Sequence, residues 1–485
     1  MTLNLKDPRL LKSQCFINGE WVKGSGKLDI TNPATGELIA TVATVAGAET
    51  EQAIAAAHQA MLAWQKTTVK ERAIVLRKWY DLIMENQEDL AVILTAEQGK
   101  SLAESRGEIA YSASYAEWFS EEARRNYGDV LPLPQSDRRG ITIKQPVGVV
   151  AALIPWNFPS LVTRKIAPAI AAGCGVVLKP SEETPLSALA MIELGNRAGI
   201  PPGLVNVVVA NNPADIGDVL TASETVRKLS FTGSTAVGKM LAAQCAGTVK
   251  KLTLELGGNA PFIVFDDADI EAAAQNAALS KFRNSGQVCV AAQRIMVQEG
   301  IYDKFVERLT NIVKGYKVGN GLDESNTHGP QINENAVRSI DEKVQSAIAH
   351  GAKVVLGGKP GDQGPNFYDF TILTDVNESM RTYKEEIFGP VAAVYKFATE
   401  EDAIAMSNDT EYGLAAYFYT RDVGRVWRVA EALDFGMVGA NETVITCDVM
   451  PFGGVKQSGI GREGSQYGLD DYTELKYICM GGLDK

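Results

Sequence analysis

From Val147 onward, short β-branched runs alternate with helix-like stretches. The runs are VGVVAALI (147–154), GVVLK (175–179), VNVVV (205–209), KLSF (228–231) and KLTLEL (251–256). Between them lie Ser160–Ala172, Pro185–Ala198 with Thr184 as its expected N-cap, Asn212–Leu220 and Thr235–Cys245. Apolar runs this short, without strict alternation, suit strands buried on both faces, and the helical spacers make parallel βαβ units. The rhythm resumes with PFIVF (261–265), RIMVQ (294–298), VAAVYKF (391–397) and LAAYFY (414–419). The fold class expected is therefore α/β, with two doubly wound parallel-sheet lobes meeting near Leu256–Asn259. At 485 residues the chain has room for about three domain-sized units.

The segments outside this rhythm are distinct. Asn18-Gly19 between apolar flanks predicts a hairpin, and residues from about 49 to 125 read as helical. Leu131-Pro-Leu-Pro134 and the alternating Ile141–Lys144 predict an extended arm, with Asp471–Cys479 as a further extended segment. Expected boundaries are a dinucleotide-binding domain over 1–128 and 145–256, and a catalytic domain over 257–445. An oligomerisation arm is expected over 129–144 and 466–485, and a loop joining the lobes over 446–465.

Composition removes several function classes. A net charge of −12 disfavours nucleic acid and anionic membrane as partners. No apolar run reaches the roughly 18–20 residues that span a bilayer, and the N-terminus lacks the apolar core of a signal peptide, so a cytoplasmic protein is expected. Six scattered cysteines without a CxxC pair read as reduced thiols. Three isolated histidines, at 58, 328 and 350, argue against a metal site. With no G-x-S-x-G turn either, a Ser-His-Asp hydrolase is disfavoured, and acid–base work falls to Glu, Lys or Cys.

Two glycine patterns need a context test. Gly233-Ser-Thr-Ala-Val-Gly238-Lys239 nearly matches a P-loop, but Met240 stands where Ser or Thr must reach magnesium. Its position between a strand and a helix still suits a pyrophosphate on exposed amides, or else a purely structural turn. Gly459-Ile-Gly461-Arg-Glu-Gly464 is a formal GxGxxG, yet no β-branched strand precedes it, so a lobe-joining loop is the better account.

Three polar segments interrupt apolar surroundings. Ile154-Pro-Trp-Asn157-Phe-Pro159 offers amide donors just after a parallel strand, the usual ligand edge. Glu255 ends an apolar strand and is followed by two glycines. Cys289 follows the Gly-bearing bend Arg283-Asn-Ser-Gly-Gln-Val. Taken singly, Cys289 could be an inert small hydrophobe and Glu255 a strand-end ion pair.

Together with FTGS, EEIFGP at Glu385–Pro390 and PFGGVKQSG at Pro451–Gly459, these segments resemble the aldehyde dehydrogenase superfamily over essentially the whole chain. Through Thr163-Arg164-Lys165 and Phe282-Arg283-Asn284 the chain is most similar to the members that oxidise succinate semialdehyde. The resemblance implies Cys289 as nucleophile, Asn157 as oxyanion holder, Glu255 as general base, and Lys165 and Glu463 in proton handling. An ordinary ion pair is the other account of those last two. It also implies a dinucleotide against Trp156, Lys179, Glu182, Gly233 and Ser234, with Glu386 and Phe388 beside the nicotinamide. Glu182 favours NAD, because its carboxylate can accept ribose hydroxyls and repels a 2′-phosphate; NADP is the alternative.

For substrate, Arg164 and Arg283 match the carboxylate clamp of acid-semialdehyde enzymes, with Thr446 where the family has a serine hydroxyl. Surface or interface salt bridges are the other account of these arginines. The extra methyl of Thr446 makes glutarate semialdehyde the competitor, and a betaine-type or aliphatic aldehyde dehydrogenase is the alternative without a carboxylate. Ala291 replaces a second cysteine that some relatives carry, so no disulfide switch is expected there. The implied partners are a small aldehyde and further copies of the chain, as a homodimer or homotetramer.

Overall fold

The computed structural model describes residues 1–483; Asp484 and Lys485, the end of the expected 466–485 segment, lie outside the described residues. The first sheet has eight strands, in the order Gly459–Ile460, Lys251–Glu255, Val226–Thr232, Val149–Leu153, Gly175–Lys179, Val205–Val207, Cys15–Ile17, Glu20–Val22. Its five central strands are parallel. The outer ones are antiparallel, so the sheet is mixed at its edges. Val149–Leu153 and Gly175–Lys179 are buried along their whole length, as expected for strands with helices on both faces.

The order of the central strands reverses between Val149–Leu153 and Val226–Thr232. Such a reversal opens a crevice beyond the carboxyl ends of the two strands, the general ligand position of doubly wound sheets. The loops leaving these strands are Ile154–Pro159, one of the polar segments, and Gly233–Ser234, the start of the P-loop-like glycine pattern. The second sheet has seven strands, with Ala260–Val264, Ala292–Gln298 and Val391–Phe397 near its centre and only Lys353–Leu356 antiparallel. One sheet ends at Glu255 and the other begins at Ala260, so the ELGGN turn joins them.

The Asn18-Gly19 turn has positive φ at both residues, 52° and 84°, the mirror-type geometry that matches strand twist. Four helices follow between Gly47 and Glu122. Thr473–Met480 pairs along its length with Arg139–Pro146, making with Val130–Leu131 a separate three-stranded sheet.

Two expectations need correction. Thr184 occupies the N-cap position of Pro185–Ala198, but its side chain makes no cap bond. Glu97, far away in sequence, accepts the Leu186 and Ser187 N–H groups, each at 2.7 Å. A carboxyl group offers two oxygens to two orphan donors, which one hydroxyl cannot, although burial raises Glu97 to about 8. The Gly459 segment is not only a loop: Gly459–Ile460 is an edge strand against Leu254 and Glu255. A Cβ at Gly459 would fall 1.9 Å from the Leu254 carbonyl oxygen, so close backbone approach, not phosphate binding, accounts for that glycine.

Candidate active site

Two concavities share the Ile154-Pro155 wall and Thr232. The inner one is a narrow cavity with about 40 Å³ of free space, and Asn157, Arg164, Lys165, Arg283, Cys289 and Thr446 line it. The outer one is a cleft of about 470 Å³ holding Trp156, Lys179, Glu182, Gly233 and Ser234. Asn157 and Trp156 are adjacent in the chain, so one loop faces both.

Cys289 is carried by a tightly held loop. Asn284 and Ser285 both take positive φ, 50° and 52°, a costly conformation for side-chain-bearing residues that persists only where surroundings enforce it. The Ser285 hydroxyl donates to the Gly329 carbonyl at 2.7 Å, and the Gln287 side chain bonds Asn284, Pro330 and Ile332 backbone. From the other side, a Cβ at Gly258 would lie 2.4 Å from the Cys289 carbonyl oxygen, which explains the second glycine of ELGGN. Burial pushes the Cys289 thiol up to about 12, with Arg164 and Arg283 pulling the other way. The free thiol is therefore protonated at neutral pH, and a neighbouring base or charge must activate it.

The Asn157 amide donates one N–H to the Gln287 carbonyl at 3.0 Å, which ties the two loops and fixes the amide plane. Its second N–H remains for the cavity.

Behind this cavity lies a buried charge cluster. Lys165 donates to Glu463 at 2.6 Å and to Ser230 at 3.0 Å. Arg164 Nε lies 2.6 Å from the other Glu463 oxygen as an ion pair, although its N–H is not aimed along that contact. Burial by itself would raise Glu463, but Arg164 and Lys165 outweigh it and hold the carboxyl below its usual range. Burial lowers Lys165 against the pull of Glu463. Glu255 is buried at the end of its strand with neither oxygen hydrogen-bonded. Burial first, and then the Glu463 charge, raise it well above the ordinary carboxylate range. Glu255 lines neither concavity, but its charge acts on the Cys289 thiol, and once deprotonated it is a carboxylate of unusual basicity.

In the cleft, Ser234 caps the Thr235–Ala246 helix, whose amino end opens toward Gly233. Lys179 and Glu182 form an ion pair at 3.1 Å at the mouth, and Phe231 and Leu241 supply apolar walls. A helix amino end, a cation, a carboxylate and apolar walls are the parts a dinucleotide's pyrophosphate, ribose and base need, so the residues fit such a group. Glu386 and Phe388 line neither concavity. Glu386 accepts the Gly258 N–H at 3.1 Å and burial raises it to about 7. Phe388 meets Trp156 edge to face at 5.6 Å, which joins it to the cleft.

Residues that sequence reasoning missed cluster at the amino-terminal half of Leu102–Glu122 and just before it. Glu104 accepts the Asn284 N–H at 2.6 Å, and Lys100, ion-paired with Glu108, donates to the Asn157 carbonyl at 2.8 Å. Ser101-x-x-Glu104 is a legible capping box, but no local signal marks its glutamate as also reaching the cysteine loop. Among the described residues, no group of three or more His, Cys, Asp or Glu lies together as metal ligands, and no helix is long and apolar enough to cross a membrane.

Residues 21–478 match the aldehyde dehydrogenase family. The chain is 54% identical to the 3-sulfolactaldehyde dehydrogenase of Pseudomonas putida, over the full length of both. It is 53% identical to the NADP(+) succinate-semialdehyde dehydrogenase of Escherichia coli, over 99% of this chain and 100% of that one. The crystal structure of succinate-semialdehyde dehydrogenase from Burkholderia pseudomallei superposes with a TM-score of 0.97 at 54% identity, covering 98% of this chain and 99% of that one.

Proposed function

We propose, because this chain belongs to the aldehyde dehydrogenase family, that it oxidises a small aldehyde with a terminal anion, succinate semialdehyde by preference, to the acid with NAD. One observation carries the reading: Cys289, Asn157, Arg164, Arg283 and Thr446 line a single cavity that shares a wall with the cleft.

In this scheme the Cys289 sulfur adds to the aldehyde carbon, its proton passing to Glu255. The second Asn157 N–H and the Cys289 main-chain N–H hold the oxygen that becomes negative. A bound dinucleotide would supply the hydride acceptor for oxidation at that carbon, and Cys289 would hold the resulting acyl group as a thioester. Glu255 then takes a proton from water as the water attacks the thioester; the C–S bond breaks and the acid leaves. Lys165 and Glu463 carry the proton onward from Glu255. Trp156, Lys179, Glu182, Gly233 and Ser234 hold the adenosine and pyrophosphate end, with Glu386 and Phe388 beside the nicotinamide.

The substrate anion pairs with Arg283 and Arg164, and the Thr446 hydroxyl is a third donor. Glutarate semialdehyde is the second reading, because the Thr446 methyl reshapes that end of the cavity. Residues 1–128 and 145–256 act as the dinucleotide-binding domain, 257–445 as the catalytic domain and 446–465 as their joining loop. The 129–144 and 466–485 arm carries exposed Val130, Leu475 and Tyr477, which suits burial between copies in a homodimer or homotetramer. Six free cysteines suit a cytoplasmic setting.

A panel of succinate, glutarate and uncharged aldehydes, each assayed with NAD and NADP, tests the reading. NADH should form fastest with succinate semialdehyde, and protein quenched in turnover should carry an acyl adduct on Cys289. Equal turnover by Cys289→Ala refutes it.

A further inference from the structure

We propose that the buried Lys100–Glu108 pair is a positioning device that sets Asn157 against the Cys289 loop; it rests on the reading of Asn157 as oxyanion holder. Lys100 and Glu108 are both buried, and neither touches the cleft or the cavity. A buried ion pair is a poor source of stability, because desolvation offsets the attraction. Its partners here point to a geometric role. The Lys100 ammonium donates to the Asn157 carbonyl at 2.8 Å and stands 4.1 Å above the Phe158 ring. Glu108 joins Lys100 through one oxygen; through the other it accepts the Ser160 N–H at 3.1 Å and the Ser160 hydroxyl at 2.8 Å. One ion pair thus grips both ends of the four-residue loop Asn157–Ser160.

The same helix face also grips the nucleophile loop. Glu104, one turn before Glu108, accepts the Asn284 N–H at 2.6 Å. Asn284 in turn donates its side-chain amide to the Asn157 carbonyl at 3.0 Å, the oxygen that Lys100 already holds. Glu104 and Glu108 therefore fix the spacing between the oxyanion loop and the cysteine loop from one rigid element. A shift of about 1 Å in such a spacing slows chemistry by about a hundredfold.

The test is a cycle of Lys100→Met, Asn157→Ala and both together, read by steady-state kinetics. Asn157→Ala should lower kcat about 10²- to 10³-fold. Lys100→Met should lower kcat about 10- to 100-fold with KM for the aldehyde and the affinity for NAD within about threefold. In the double variant Lys100→Met should cost less than about threefold more, because its effect acts through an amide no longer present. If Lys100→Met does not fold, Lys100→Met with Glu108→Gln removes both charges, keeps an acceptor for Ser160, and should show the same non-additive loss. Asn157→Ala with parental kcat refutes the oxyanion reading. A slow Asn157→Ala combined with a silent or fully multiplicative lysine substitution refutes the positioning role alone.

Discussion

Arg283 and Arg164 line the same cavity but differ in what already holds them, and this separates their mutants. Arg164 is buried against Glu463 at 2.6 Å. Arg283 is half-buried, has no carboxylate partner among the described residues, and lies 5.5 Å over the Phe158 ring. Its guanidinium is therefore the free cation for a substrate anion. Arg283→Met keeps an apolar stem on Phe158 and removes only the charged fork. A hydrogen bond to a charged group contributes about 1.5–3 kcal/mol, so a two-pronged pair would contribute about 3–6 kcal/mol if dry. Half exposure screens this to about 2–3 kcal/mol. The kcat/KM for succinate semialdehyde should fall about 30- to 150-fold, with an unbranched uncharged aldehyde within about threefold of the parent. Arg164→Met should slow both substrates, because it removes a positive neighbour that lowers the Glu255 pKa and leaves Glu463 to Lys165 alone. The assay is NADH absorbance for both aldehydes on both variants. Equal losses for charged and uncharged aldehydes in Arg283→Met would refute the argument.

Glu255 works as a base only when deprotonated, and burial followed by the Glu463 charge raises its pKa, so activity should fall as pH drops through that raised value. Glu463→Gln removes the negative neighbour and releases two cations, so the acid limb of the kcat/KM–pH profile should move to lower pH; a move upward or none contradicts the coupling. Glu182→Ser frees Lys179 from its 3.1 Å ion pair and removes a charge that repels a 2′-phosphate. Screened at this part-exposed site, that charge is worth about 1.5 kcal/mol, so the NADP-to-NAD ratio of kcat/KM should rise about tenfold, and an unchanged ratio would count against the assignment of Glu182. Gly459→Ala sets a Cβ against the Leu254 carbonyl at φ +148° and should cost about 3 kcal/mol or more, lowering the unfolding temperature and disturbing the strand of Glu255. A melting curve matching the parent would show that the strand edge yields without cost.

Much of the scaffold was readable because its signals are local. Periods of two and 3.6, the Asn18-Gly19 turn and the glycines of ELGGN each report on a few consecutive residues, and they located the lobes and the loops at the strand ends. The capping of Pro185–Ala198 by Glu97 was not readable, since Thr184 is the locally sensible cap and nothing near Leu186 names a residue about 90 positions earlier. The Gly459 strand was hidden for a related reason: a two-residue Gly-Ile segment is too short to signal a strand and becomes one only because Leu254 and Glu255 are already there to pair with.

The linear chain by itself determined the chemical inventory: a thiol, a carboxylate and an amide on three separate segments, with arginines placed near two of them. Folding decided their charges and their partners. Glu255 and Glu463 are the same side chain, yet one is raised by burial and a like charge while the other is held down between Arg164 and Lys165. Electrostatic energy depends on distance and on exclusion of water, and neither is encoded in how far apart two residues lie along the backbone.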